Sequence, residues 1–497
     1  MFDKNILRPF LDAIEIYSDK NAFCIAEKFY TYSEFAKHIS KIRKAVRSSG
    51  IRGTNIGLVA NDDIETYAAI FSIWLEGLAY VPLHPMQPVD RNMEIIAQAD
   101  ISLVICSSAG ISFKDVKTIY SSGLEFDELI LIPANVADDS LAYILFTSGS
   151  TGKPKGVPIM RSNIGAFMRS FFEVGFDITS EDRCLQCFDL TFDVSVQSYL
   201  VPLTRGACTY TIPHDQIKYS YVYGLLEDHH LTFGAMAPSM IRYLRPYFDE
   251  INAPGMRYSI LTAEASPSDL VAEWSKCIPN AEIFDFYGPT EATIYCTYYK
   301  CSRDGSYKNL NGMLSIGKAM DGLVAIIRDE NGNLLGKNQK GELCIAGDQL
   351  TPGYWHSPEK TAESFFVHEL EGKMLRFYKT GDFCFIDDEG DILYAGRLDY
   401  QVKIQGYRIE LSEIEYHARE FLKGQNAVAV SYDNKTGNAE IALFVEDETD
   451  NSTDLLAYLK LKMPHYMIPS KLFFNGKFPL NSNGKVDRNV LKKSITN

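Results

Sequence analysis

Short apolar runs alternate with longer stretches of helical periodicity through most of this chain, and that rhythm limits the folds open to it. Phe35 to Ser48 carries Ile39, Ile42 and Val46 on one helical face, Asn55 to Ala60 is a short apolar run, and Ile64 to Trp74 is helical again. Ala79 to Leu83 and Ile101 to Cys106 are further strand-like runs bounded by turn residues. Strands connected through helices pair in parallel, because a parallel connection needs a crossover long enough to hold a helix. The expected class is α/β: a large N-terminal domain of several subdomains with parallel-rich sheets and helices, then a small α+β domain. At 497 residues the chain exceeds one ordinary domain, and 46% hydrophobic with 23% charged residues suffices for a large core.

The boundary is placed at 396/397. Beyond Asp382, short strands separated by Asp-Glu-Gly and Gly-Arg turns lead into a polar helix from Leu411 to Leu422. Strand-like runs at Ala427 to Tyr432 and Glu440 to Glu446 follow, then a helix around Leu455 to Lys462. The acidic run from Glu446 to Asp450 reads as a solvated loop.

A net charge of −15 argues against a nucleic-acid partner. The longest apolar stretch, Tyr67 to Leu83, is broken by Glu76 and Gly77 and contains Pro82, so it reads as a buried helix and a strand rather than a membrane span. The N-terminal apolar stretch carries acids and no cleavage signature, so no signal peptide is expected. Ten scattered cysteines fit a reducing cytoplasm. The one tight pair, Cys184 and Cys187, lacks a second pair to complete a zinc site and reads as two ordinary thiols near a strand. His229, His230 and the other histidines show no ligand spacing and read as ordinary surface or core residues.

Tyr143-Ile-Leu-Phe-Thr-Ser-Gly-Ser-Thr-Gly-Lys-Pro-Lys-Gly156 is the strongest local signal. An apolar strand runs into Thr147, Ser148, Gly149, Ser150, Thr151, Gly152 and Lys155. Glycines let backbone N–H groups approach an anion, hydroxyls donate to its oxygens, and lysine supplies charge. The loop is a phosphate cradle, and it is not a Walker A loop, since no Gly-Lys-Ser/Thr closes it.

With this loop stand Ala79-Tyr-Val-Pro-Leu-His-Pro85, Phe286-Tyr-Gly-Pro-Thr-Glu-Ala-Thr293, Gly341-Glu-Leu-Cys-Ile-Ala-Gly347 and Pro352-Gly-Tyr-Trp355. Tyr378-Lys-Thr-Gly-Asp382, the run from Gly396 to Arg408, and Asn483-Gly-Lys-Val-Asp-Arg488 complete the set. In content and order these motifs resemble those of the adenylate-forming superfamily, which includes acyl-CoA synthetases, luciferases and nonribosomal peptide adenylation domains. The resemblance implies ATP and Mg2+ as cofactors. It makes Tyr287 an adenine-stacking face, with Asp285 and Phe286 beside it. Asp285 stands where the peptide-synthetase branch usually has Asn, and its carboxylate can still accept from the adenine amine. Thr290 is expected on the α-phosphate and Glu291 on the metal, as a hard oxygen ligand. Asp382, acceptor-only, suits two ribose hydroxyls; alone it would read as a turn cap. Arg397 and Arg408 reach ribose or phosphate oxygens.

Lys485 alone would read as an exposed tail lysine. The resemblance makes it the catalytic cation that stabilises charge building on the α-phosphate during carboxylate attack. Asp399 sits at the family's hinge, about which the small domain is expected to swing, exchanging Lys485 for the face carrying Lys403 and Gly406.

Asp193, in Phe188-Asp-Leu-Thr-Phe-Asp193, stands where the amino-acid-activating branch pairs the substrate ammonium; on its own it would read as a turn residue at an edge strand. Val194, Gln197, Ala235, Ile260, Thr262, Phe286, Ile294 and Tyr295 occupy the other pocket positions. Their mostly apolar lining favours a small or medium uncharged side chain, L-proline leading and D-alanine or L-alanine next. Asp193, Val194, Gln197 and Ile260 resemble proline-activating domains; Thr262, Phe286 and Tyr295 depart from that pattern. The run from Gly396 to Ala418 is similar to D-alanine–D-alanyl carrier protein ligases, from which Thr262 and Ala263 depart. The implied reaction forms an aminoacyl-AMP, releases pyrophosphate, and passes the acyl group to the phosphopantetheine thiol of a separate carrier protein. A carrier in trans is expected because the chain ends soon after Lys485. The alternative is an acyl-CoA synthetase for a non-amino carboxylic acid.

Overall fold

In the computed structural model, residues 1–51, 53–149, 152–399, 401–423, 425–446, 451–479 and 486–495 are described. The chain separates into two compact units. One comprises Met1–Pro85, Ile96–Leu145 and Gly156–Leu398; the other comprises Met86–Ile95, Phe146–Lys155 and Asp399–Asn497.

The first unit has the parallel-rich α/β architecture that the alternation of elements implies. Its largest sheet among the described residues runs, edge to edge, Lys318–Ala319, Thr297–Lys300, Glu282–Tyr287, Tyr258–Leu261, Phe233–Met236, Arg183–Gln186, Cys208–Thr211, Asn21–Ile25 and Lys28–Thr31. Pairing is parallel from Glu282–Tyr287 through Asn21–Ile25 and antiparallel at both edges. A six-stranded sheet orders Lys117–Tyr120, Leu103–Cys106, Asn55–Val59, Ala79–Leu83, Leu141–Thr147 and Lys155–Met160. Asn55–Val59 and Ala79–Leu83 are buried at every position, as expected for parallel strands covered on both faces. An antiparallel sheet adds Leu323–Arg328, Gly341–Gly347, Lys373–Ile386, Phe365–Leu370 and Ile392–Arg397.

Helix burial follows apolar distribution. Ile64–Leu75 is apolar nearly all round and buried throughout, and the indole of its fully buried Trp74 donates to Ala142 O at 2.8 Å. Tyr32–Ser48 is amphipathic; its capping box pairs Thr31 with Glu34, satisfying two orphan N–H groups. Its fully buried Arg43 donates to the carbonyls of Leu75, Ile130 and Ile132 and pairs with Glu76, so each nitrogen of the charged head has an acceptor.

In the second unit, the hairpin Gln401–Ile404 and Tyr407–Glu410 turns through Gln405 and Gly406, both at positive φ as a two-residue hairpin turn requires. Helix Leu411–Phe421 follows, then Ala427–Asp433 and Ala439–Val445 paired antiparallel, with Lys471–Phe474 parallel at the edge. The acidic loop falls mostly on 447–450, outside the described residues. No described helix is long and apolar enough to cross a membrane.

Candidate active site

In open α/β sheets, ligands bind beyond the carboxyl ends of parallel strands. Those ends collect most of the candidate residues of the first unit. Ala235 and Ile260 are register partners near the ends of neighbouring strands, and Phe286 and Tyr287 end the next strand. All are buried. Asp285, on the same strand, accepts from the Ser266 hydroxyl at 2.7 Å.

After Tyr287 the chain turns at Gly288, where a Cβ would lie 2.3 Å from Ile294 O, so only glycine fits. A short 3-10 helix, Thr290–Ala292, then presents Glu291, fully buried, whose Oε1 accepts from the Tyr354 hydroxyl at 2.7 Å. Thr293 and Ile294 follow in left-handed conformations, φ 56 and 74, rare for branched residues. Gln349 holds them: its Nε2 donates to Tyr295 O at 2.7 Å and Ala292 O at 3.2 Å, and its backbone carbonyl accepts from Thr293 Oγ1 at 2.5 Å. Sequence reasoning missed Ser266, Gln349 and Tyr354. Tyr354 had a signal, since it lies in the quoted Pro352-Gly-Tyr-Trp355 motif; Gln349 and Ser266 had none.

Asp382 lies on the strand Lys373–Ile386 opposite Arg397, its register partner. Arg397 Nη1 donates to Asp382 Oδ1 at 2.9 Å and the Tyr287 hydroxyl donates to Oδ2. Burial and then Asp382 raise the Tyr287 phenol well above its ordinary range, so it stays a donor. Each carboxylate oxygen keeps a further lone-pair site for a hydroxyl.

Asp193 is not on an edge strand. It is the first residue of the buried helix Asp193–Leu203, where the N-terminal dipole favours a carboxylate. Val194 and Gln197 sit within that helix. The Tyr295 hydroxyl donates to Gln197 Oε1 at 3.3 Å, and the rings of Tyr295 and Phe286 lie 4.9 Å apart. Thr262 and Asp193 both lie close enough to perturb the Tyr295 phenol, which burial raises well above its ordinary range, so Tyr295, Gln197 and Phe286 form a buried cluster with Thr262 and Asp193 beside it.

The second unit holds the rest. Ser148 donates its hydroxyl to Arg408 O at 3.0 Å and accepts from Glu410 N at 3.1 Å. The Gly149 N–H donates to Glu413 Oε2 at 2.9 Å, and a Cβ on Gly149 would meet Lys153 O at 2.1 Å. Thr147 Oγ1 is buried with no hydrogen-bond partner among the described residues. Gly152 has φ +79. Lys155 lies close enough to lower the Glu410 carboxyl, though burial raises it overall. Arg408 Nε donates to Gln401 Oε1 at 2.9 Å; Lys403 is the register partner of Arg408; Asp399 accepts from Gln401 N at 3.0 Å. Ser150, Thr151 and Lys485 lie outside the described residues.

The donor set suits the expected groups. Glu291 supplies a hard carboxylate oxygen, and Mg2+ commonly takes one or two carboxylates and completes its shell with phosphate oxygens and water. The Gly149 N–H, which meets the Glu413 carboxylate, is a donor of the kind a phosphate oxygen also accepts from.

Residues 10–355 match the AMP-binding enzyme family. Over 99% of this chain, tyrocidine synthase 2 of Brevibacillus parabrevis is 29% identical, but the chain spans only 14% of that relative and 7% of tyrocidine synthase 3 from the same organism. Zwittermicin A synthase ZmaJ of Bacillus cereus is 32% identical over 95% of this chain and 92% of its own length. Among solved structures, the Vibrio cholerae adenylation domain AlmE in complex with glycyl-adenosine-5'-phosphate superposes with a TM-score of 0.86 at 25% identity, over 98% of this chain and 97% of that one. The chain belongs to the AMP-binding enzymes of the adenylate-forming superfamily. Within it, its homologues include adenylation domains of nonribosomal peptide synthetases.

Proposed function

We propose that this protein activates an amino acid with ATP as an aminoacyl-AMP, releases pyrophosphate, and transfers the aminoacyl group to the phosphopantetheine thiol of a carrier protein acting in trans. The observation that carries this reading is Asp193: a carboxylate buried at the head of a helix, beside the aromatic cluster of Phe286 and Tyr295. A buried carboxylate offers a substrate ammonium an opposite charge to pair with. AlmE, bound to a glycyl adenylate, supports the amino-acid class. The bulk of Phe286 and Tyr295 favours a small or medium uncharged side chain, L-proline first, then D-alanine or L-alanine. Ten buried cysteines scattered along the chain fit a reducing cytoplasmic setting.

Each residue then has a task. Tyr287 stacks the adenine while Asp285 accepts from its amine. Asp382, oriented by Arg397, accepts from the ribose hydroxyls. Thr147, Ser148, Gly149 and Lys155 grip the outer phosphates, and Thr290 bonds the inner one. Mg2+ held by Glu291 neutralises phosphate charge when bound. Lys485 stabilises the charge that develops as the substrate carboxylate attacks. Rotation about Asp399 then replaces Lys485 with the face carrying Lys403, and the thiol attacks the acyl carbon, releasing AMP.

Amino-acid-dependent pyrophosphate–ATP exchange over a panel containing L-proline, D-alanine and L-alanine tests the reading. One amino acid is expected to drive exchange in the wild type and to lose about a hundredfold or more in Asp193→Ala, on the scale of a transition-state contact. Exchange on a simple carboxylic acid, undiminished in Asp193→Ala and absent with every amino acid, would favour an acyl-CoA synthetase instead.

A further inference from the structure

His229 shows no ligand spacing in sequence, yet the fold brings it to two other metal-ligating side chains. Cys24 lies on Asn21–Ile25; Glu27 lies in the two-residue turn that joins this strand to Lys28–Thr31; His229 caps the C-terminal end of helix Lys218–Asp228. One ligand atom from each, the thiol sulfur, a carboxylate oxygen and a ring nitrogen, lies within 4.8 Å of the other two.

The three groups are held rather than merely near. His229 Nε2 lies 2.8 Å from Glu27 Oε2, and the Tyr221 hydroxyl donates to Glu27 Oε1 at 3.2 Å, orienting the carboxylate as an outer-shell partner does. The His229 ring is flanked by Tyr210 at 5.1 Å and Phe29 at 6.1 Å, which limits its rotation. Cys24 is 2% exposed and its strand is in register with Tyr210. The thiol is therefore walled in on one side, while His229 and Glu27, with side chains 17% and 63% exposed, open the site to solvent on the other.

We propose that Cys24, Glu27 and His229 form a binding site for one borderline-soft divalent cation of the Zn2+ class, clamping the first hairpin to the end of helix Lys218–Asp228. A thiolate, an imidazole and a carboxylate suit Zn2+ or Co2+, not the all-oxygen preference of Mg2+. Tetrahedral bonds of about 2.0–2.3 Å place ligand atoms roughly 3.3–3.8 Å apart, so closure needs a shift of about an ångström and opening of the His229–Glu27 hydrogen bond. The thiol proton leaves to solvent as the metal–sulfur bond forms. The site is separate from the strand that carries the adenine-reading residues: five strand steps separate Glu282–Tyr287 from Asn21–Ile25, about 24 Å at ~4.8 Å per strand.

Tag-free, chelator-stripped full-length protein titrated with Co2+ tests the proposal. One equivalent is expected to produce a thiolate-to-cobalt charge-transfer band with the visible bands of a tetrahedral ion, and one equivalent of Zn2+ to abolish both. Cys24→Ser should lose the charge-transfer band. Glu27→Gln and His229→Asn, at positions that reach solvent, should weaken binding tenfold or more and lose the rise in unfolding temperature that Zn2+ gives the wild type. Cys208→Ser, changing the neighbouring thiol, should retain the band. Pyrophosphate exchange should be unchanged in His229→Asn. No charge-transfer band at stoichiometric Co2+, a band that survives Cys24→Ser, or Zn2+ binding equally tight in a folded Glu27→Gln/His229→Asn double variant overturns it.

Discussion

The backbone N–H of Gly149 donates to Glu413 Oε2 at 2.9 Å, and the other carboxylate oxygen accepts from Arg91 Nη1 at 2.6 Å. All three residues belong to the second unit. Glu413 is fully buried and the Arg91 side chain is 6% exposed. A buried carboxylate thus rests on a backbone donor of the loop read as a phosphate cradle, as an anion would. Removing one partner leaves the other charge buried and uncompensated, which costs about 3–5 kcal/mol. Arg91→Met is expected to destabilise this unit by that amount in urea, and Arg91→Met with Glu413→Leu to recover more than half. A single-variant loss below about 1 kcal/mol, the range of exposed pairs, would contradict it.

Gln349 keeps Thr293 and Ile294 in left-handed backbone, where they cost of order 1–3 kcal/mol. The segment also carries Glu291 and Tyr295. Gln349→Ala should lower kcat/KM for pyrophosphate exchange roughly tenfold or more, the scale of unsatisfied buried groups. Gln349→Glu, nearly isosteric but without N–H donors, should do the same. Wild-type rates in Gln349→Glu would remove the positioning role.

Lys485 is assigned from the sequence resemblance. Lys485→Ala should cost about a hundredfold or more in adenylation. Thioester formation from supplied aminoacyl-AMP should stay within a few-fold of wild type, because the lysine leaves before that step. Equal losses in both half-reactions would refute domain alternation.

Burial raises the Asp62 carboxyl from an ordinary 3.8 to about 6, against the opposing hydrogen bond from Tyr67 and the charges of His214 and Lys218. The native state therefore holds this proton more tightly than the unfolded chain. The resulting stabilisation is complete below pH ~3.8 and is lost as pH rises through about 6. Asp62 has φ 55, a conformation asparagine tolerates. Asp62→Asn should therefore gain stability relative to wild type as pH rises from about 4 to 7, read from urea midpoints. A pH-independent difference would show that Asp62 does not titrate in this window.

Local signals carried far in this chain. Helical periodicity from Phe35 onward and the apolar runs at Asn55 and Ala79 meet the structure within a few residues, because each face they bury is defined by neighbours a few positions away. The carbonyl ladder of Gln349 was not legible in the same way. Its partners lie more than 50 residues earlier, and nothing in Gly347-Asp-Gln349 marks a side chain that props up a distant turn. Asp193 was legible as a charge in an apolar run, but its place at a helix N-terminus rather than on a strand depended on the buried helix that follows.

The sequence by itself determined the parallel α/β class, the phosphate-cradle composition and the family, since these reside in periodicity and in contiguous motifs. Tertiary structure alone decided that Cys24, Glu27 and His229 meet, that Glu413 rests on Gly149, and that Asp382 is shared by Arg397 and Tyr287. The physical reason is separation along the chain: a contact between residues tens or hundreds of positions apart exists only once sheet order and crossovers are settled, and no local propensity encodes that order.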